Sequence, residues 1–124
     1  MGREKREIGI LGEHIAQKFL ADKGYRIICK NFRTPFGELD IVAKHKGSIV
    51  FIEVRTRSTS SLGPPILSVT RIKQIHLIRN ALFYLKRYGQ VYADWRIDVV
   101  TVKLGHGLKA ENIEHIENAV EDIM

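Results

Sequence analysis

The sequence predicts an α/β fold: a mixed sheet of four to five strands flanked by helices, in the order α-β-β-β-α-β. Two stretches with apolar residues at helical spacing bracket three runs rich in β-formers. A fourth such run follows the second helical stretch, and Gly or Pro punctuates the junctions. At 124 residues and 44% hydrophobic composition, the chain fits one domain, 1–124, with its own core.

The first helix rests on Ile8, Leu11, Ile15 and Phe19, with Gly12, Ala16 and Leu20 beside them and Gly24 as its stop. Tyr25 to Asn31 reads as a strand and Thr34-Pro35-Phe36-Gly37 as a turn. Glu38 to Lys44 and Ile49 to Arg57 form a hairpin through the four residues His45 to Ser48. Ser58 to Pro65 reads as a mobile loop. Ser68 or Thr70 caps a second helix running to Tyr88, with Ile75, Ile78, Leu82 and Leu85 inward and Lys73, His76, Asn80 and Arg87 opposite. Trp95 to Lys103 is the fourth strand. Around Ile113 and Ile116, a short edge strand and one helical turn fit equally well.

The charge excludes some function classes and favours others. There are 20 Lys and Arg against 14 Asp and Glu, a net charge of +6. The acidic tail 111–124 holds five of those acids and no Lys or Arg, so the body carries 20 bases against nine acids, or +11. Such a body suits a polyanionic partner, because neutralising phosphates releases counterions; a basic solubilising surface is the plain alternative. No apolar run approaches the roughly 20 residues of a membrane span, and the N-terminus has no signal-peptide core, so a cytoplasmic protein without membrane contact is expected. Cys29, the single cysteine, reads as a core thiol. The five histidines show no HxxxH spacing, which argues against zinc. Gly105-His106-Gly107 is a turn rather than a dinucleotide loop, and Asp98 reads as a structural ion pair with Arg96.

The informative segment is the hairpin. If Lys44 lies opposite Ile49, Asp40 falls across from Glu53 and Glu38 across from Arg55, all on one face. Carboxylates roughly 5 Å apart repel by about 3 kcal/mol at an effective dielectric near 20. Two remedies exist: one acid takes a proton, or a cation sits between them. Oxygen ligands favour a hard ion, Mg²⁺ or Mn²⁺. Arg55 can then contact a phosphate. Glu13, at the edge of the first helix's buried stripe, joins as a third acid, with Gly9 and Gly12 allowing close approach of that helix. Lys73, Gln74 and Arg79 on the second helix and Arg57 before the loop are candidate nucleic-acid contacts; a solvated helix face is the plain alternative for the helical set.

Gly12-Glu13, Asn31, Gly37-Glu38-Leu39-Asp40, Phe51-Ile52-Glu53-Val54-Arg55 and Arg96-Ile97-Asp98-Val99-Val100 together resemble the YraN-like bacterial family, uncharacterised protein family 0102. That family is similar to archaeal Holliday-junction resolvases and to the restriction-endonuclease-like, PD-(D/E)XK superfamily. The resemblance spans Gly9 to Val102. It implies a restriction-endonuclease-like fold and a metal-dependent endonuclease acting on DNA, with branched or single-strand-containing substrates and two-fold pairing of the chain. Asp40, Glu53 and the Val54 carbonyl would hold Mg²⁺, and Glu13 an outer water or second ion. The ion would polarise the scissile phosphate and acidify the attacking water.

The last motif position, usually Lys, is Arg55 here. A guanidinium stabilises negative charge but does not act as a base. Lys73 or Lys44 is the candidate replacement amine. Two alternative readings follow from this departure and from the charge: a nucleic-acid-binding module that has lost turnover, and a protein-interaction domain.

Overall fold

Helix α1 (Gly2–Asp22) opens the computed structural model, which describes residues 2–58 and 70–120. Its buried stripe is Gly12, Ala16 and Leu20, one turn apart, flanked by half-buried Ile8, Leu11, Ile15 and Phe19. Gly24, at φ +95°, ends the helix, and Tyr25 N–H donates back to the Leu20 carbonyl at 3.0 Å.

Five strands follow: β1 (Arg26–Thr34), β2 (Gly37–His45), β3 (Ser48–Ser58), β4 (Trp95–Leu104) and β5 (Ala110–Ile116). They lie side by side in chain order, antiparallel except for β3 and β4. The parallel pair is joined by helix α2 (Arg71–Arg87), as a crossover connection requires. The tail ambiguity resolves as an edge strand, since β5 pairs with β4 from Val99↔Ile116 to Leu104↔Ala110. The mixed sheet with helices against it is the α/β class expected.

Each sheet face has its own core. Val42, Phe51 and Ile97 pack with Leu77, Ile78, Ala81 and Leu85 of α2, whereas Ile41, Ala43, Val50, Ile52, Val100 and Val102 pack with Ala16 and Leu20 of α1. Period-two alternation along β2 and β3 sorts these residues between faces. Half-buried Cys29 packs on the α2 side, the core thiol expected. The hairpin register is the expected one, Lys44↔Ile49 and Ile41↔Ile52. Its turn is tighter than the four-residue loop expected, because Lys46 and Gly47 take φ of 50° and 85° and close it in two residues.

Two expectations need correction. A Cβ at Gly12 would lie 1.8 Å from Thr56 Oγ1, so this glycine sets how closely α1 docks on β3; one at Gly9 would meet nothing within 4 Å, so Gly9 plays no such part. The buried stripe of α2 is also rotated. Leu77, Ile78, Ala81, Tyr84 and Leu85 are buried, Leu82 is 41% exposed, and Asn80, expected in solvent, is 3% exposed. Asn80 is tolerated there because Thr34 Oγ1 donates to its Oδ1, which ties α2 to the β1–β2 turn. Of the two proposed caps, Thr70 serves: its Oγ1 accepts the Lys73 N–H at 3.2 Å. Ser68 and the 59–65 part of the proposed loop lie outside the described residues.

On the α1 face, beside Ile52 in the β3–β4 ladder, Asp98 is fully buried. It accepts from Arg96 Nε at 2.9 Å, Asn118 N–H at 2.9 Å and Tyr25 Oη at 3.2 Å, with His115 Nε2 at 2.8 Å. Burial alone would raise its pKa; hydrogen bonds from His115 and Arg96 outweigh that and hold it below the ordinary value. The structural ion pair read from sequence is thus the centre of a larger polar knot. No described helix is long and apolar enough to cross a membrane.

The two helical glycines should respond oppositely to alanine. Gly12→Ala should destabilise the fold by ~1–3 kcal/mol through overpacking on Thr56, and Gly9→Ala should stabilise it by ~0.5–1 kcal/mol through helix propensity. Urea unfolding of both variants checks the pair of signs.

Candidate active site

The site sits where β2 and β3 part. Their ladder ends at Ile41↔Ile52; beyond it β2 stays with β1, pairing Leu39↔Phe32, Glu38↔Arg33 and Gly37↔Thr34, while β3 stays with β4 as far as Ser58↔Leu104. Glu38 therefore does not face Arg55 across the hairpin as expected. It pairs with Arg33, whose Nε lies 3.8 Å from its Oε2. At the fork the Val54 N–H donates to Asp40 Oδ2 at 2.8 Å, so a side chain takes over where the backbone ladder stops.

Asp40 and Glu53 are brought together on the α2 face. Burial, followed by the charge of Glu53, pushes the Asp40 carboxyl up to about 8. Glu53 is 9% exposed, and Lys73 Nζ of α2 lies 3.0 Å from its Oε2. Both remedies for opposed acids are therefore present within the chain: a proton retained on Asp40 and an ammonium beside Glu53. Lys73 follows directly from the Thr70 cap, which places it in the first turn of α2 over the acids.

Glu13 reaches the same fork from α1. Burial, then the charge of Glu38, raises its pKa. Asn31 links these two acids: with its amide nitrogen turned toward them, it donates to Glu13 Oε1 at 3.0 Å and Glu38 Oε1 at 3.1 Å. Asn31 has φ 53°, a left-handed conformation asparagine tolerates better than most residues, and this aims its amide into the fork. An open cleft of 570 Å³ is lined by Glu13, Glu38, Asp40, Glu53, Lys73 and His76, among others.

The remaining candidates are dispersed. Arg55 pairs with Thr101 in the β3–β4 ladder, and its Nε is buried with no partner among the described residues. Arg57 lines a neighbouring cleft on the α1 side. Arg79 is exposed on α2, 5.9 Å from the Phe36 ring centroid, and Gln74 is half-buried on the same helix outside the cleft lining. Lys44 lies at the hairpin end, opposite Ile49, and lines a separate cavity with Gly47 and Gln90. Of the two lysines, only Lys73 reaches the acids.

Among the described residues, no three His, Cys, Asp or Glu side chains form a metal cage. Half-buried Asp40, buried Glu53 and a backbone carbonyl are hard oxygen donors, and Mg²⁺ is commonly held by one or two carboxylates with water and substrate phosphate completing its shell. The donor set fits that ion and offers little to zinc.

A mixed α/β protein with acids gathered at a strand fork is the class that fold and site define. The chain belongs to uncharacterised protein family UPF0102, whose profile matches residues 12–102. It is 44% identical over 121 residues to a UPF0102 protein of Desulfosudis oleivorans, covering 98% of this chain and 95% of the relative. It is 46% identical over 120 residues to one of Pelobacter propionicus, covering 95% and 85%, and 44% identical over 119 residues to one of Moorella thermoacetica, covering 96% and 99%.

The state of Asp40 should be visible in stability. Folded, it keeps its proton to about pH 8; unfolded, it ionises near 3.8. The folded state thus binds the extra proton between these values, so wild-type stability falls as pH rises through that window. Asp40→Asn removes the penalty and keeps an acceptor for Val54 N–H. In urea unfolding with a chelator present, its gain over wild type should be ~3 kcal/mol larger at pH 8 than at pH 5. A pH-independent difference would contradict the assignment.

Proposed function

We propose that the protein is a metal-dependent endonuclease that hydrolyses phosphodiester bonds in DNA, on a restriction-endonuclease-like fold. The observation that carries this reading is the meeting of half-buried Asp40 and buried Glu53 with the Lys73 ammonium in one cleft. In this reading Asp40, Glu53 and the Val54 carbonyl hold Mg²⁺ or Mn²⁺, with Glu13 at the outer edge. When bound, the ion supplies Lewis-acid polarisation of the phosphate and a more acidic water.

The protein's own groups do the rest. To hold a cation Asp40 would have to give up its proton, so affinity for the ion would rise with pH toward about 8. A cation held by Glu53 would compete with its Lys73 ion pair, and the Lys73 amine would then be placed to orient the attacking water. It stands in for the lysine that the motif has lost to Arg55. Arg55, permanently charged, steadies developing negative charge on the phosphate. Basic residues farther out, Arg57 in the neighbouring cleft and exposed Arg79 on α2, attract the strand electrostatically. Arg55 at the motif's last position is also what favours a second reading, a binding module without turnover.

Purified protein with Mg²⁺ or Mn²⁺ should cut flap, junction or single-stranded DNA, and a chelator should stop it. Asp40→Ala and Glu53→Ala should abolish cutting. Lys73→Ala should lower kcat about a hundredfold with little change in KM, and Lys44→Ala should leave both unchanged. Salt-sensitive binding without cutting on every substrate would select the binding module. Cutting that survives Asp40→Ala would overturn the proposal.

A further inference from the structure

We propose that the Phe36 ring is a stacking platform for a nucleobase, so that the acid cleft holds a nucleotide by its base as well as its phosphate. The inference rests on the reading of nucleic acid as the ligand, but the contact it names needs neither metal nor cutting. Phe36 lines the acid cleft together with Glu38, Lys73 and His76. It is 46% exposed and belongs to neither core. The Arg79 guanidinium lies 5.9 Å from its ring centroid.

The backbone beneath this ring is fixed, although the ring itself stands half in solvent. Pro35 and Phe36 form the turn between Thr34 and Gly37, which pair across β1 and β2. The Phe36 N–H donates to Thr34 Oγ1 at 3.0 Å, and the same hydroxyl donates to Oδ1 of buried Asn80 on α2. Gly37, at φ +143°, lies so near this clasp that a Cβ would stand 3.3 Å from Asn80 Nδ2. The two walls of the cleft are thereby joined at the root of the ring. An aromatic side chain on an anchored backbone has few torsions left to lose on binding.

The surroundings point to the base rather than the phosphate as the part that meets Phe36. Glu13, Glu38, Asp40 and Glu53 line the cleft, and the Lys73 ammonium is engaged by Glu53 at 3.0 Å. Without a metal ion such a cleft attracts phosphate weakly. A nucleobase is the flat, uncharged part of a nucleotide, and every base has a π face that stacks on an aromatic ring. Arg79 beside the ring adds a cation that stacks on the base or pairs with the backbone. A stacked base also removes from water an apolar ring that no core covers.

The test is fluorescence anisotropy at low salt with chelator, using labelled oligothymidine and an abasic oligomer with the same number of phosphates. Wild type should bind oligothymidine about tenfold more tightly than the abasic oligomer. That ratio should persist as salt rises, because the phosphates of the two ligands release the same counterions. Phe36→Ala and Phe36→Leu should each bind oligothymidine about tenfold more weakly and the abasic oligomer as wild type does, whereas Phe36→Trp should keep the preference. Circular dichroism establishes folding, and Phe36→Leu carries the test alone if the alanine variant is unfolded. A wild type that binds neither ligand or does not distinguish them would overturn the inference. So would folded variants that retain the preference, or that lose affinity equally for both ligands, as a merely structural role in the turn predicts. Cutting by a wild type without base preference would overturn the platform and leave hydrolysis standing. A Phe36-dependent preference without cutting would do the reverse.

Discussion

The hydrogen bond from Val54 N–H to Asp40 Oδ2 is the interaction on which the site depends. Where a regular hairpin would continue backbone to backbone, a carboxylate takes the donor and lets the two strands separate. One bond thus does three things. It satisfies a strand N–H that would otherwise be unpaired, fixes the direction of the Asp40 side chain, and opens the gap into which Glu13 and Lys73 reach from opposite faces. The cost is a carboxyl group held in a poorly solvated position beside Glu53, and a retained proton relieves it.

Much of this arrangement was legible in the residues. Closure of the hairpin with Lys44 opposite Ile49 and the period-two pattern together specify one register, and that register brings Asp40 to Glu53. Other features were hidden for physical reasons. Alternation says nothing about where two strands stop pairing, so Glu38 was set against Arg55 when β1 in fact claims it. The stripe of α2 departs from its apolar spacing because Asn80 is polar yet buried, its cost met by Thr34 at a distance no local pattern records. Lys73 looked like one basic residue among several; only the cap at Thr70 and the docking of α2 on the sheet single it out. Asn31 was visible as a motif residue, but its left-handed backbone and its link between Glu13 and Glu38 depend on tertiary context.

The two faces of the sheet handle buried charge in opposite ways. Around Asp98, Arg96, His115, Tyr25 and the Asn118 backbone surround the carboxylate with donors, which keeps it ionised and joins the residue before β1, β4, β5 and the segment after β5. Lys23 extends the chain, with Nζ 2.7 Å from His115 Nδ1. Around Asp40 the donors are few and the neighbours are acids. The first arrangement is saturated and suits a support; the second is under-compensated and suits chemistry.

The left-handed backbone at Asn31 also bears on how molecules of this protein avoid one another. β1 is an outer strand of the sheet, and such strands invite a neighbour to add itself by pairing. At Asn31 the strand's regular pleat is interrupted, and Arg26, Lys30 and Arg33 place like charges along its length. A second copy approaching this border would meet a broken register and electrostatic repulsion, so the distortion that aims an amide at the acids also guards the chain against runaway stacking in crowded surroundings.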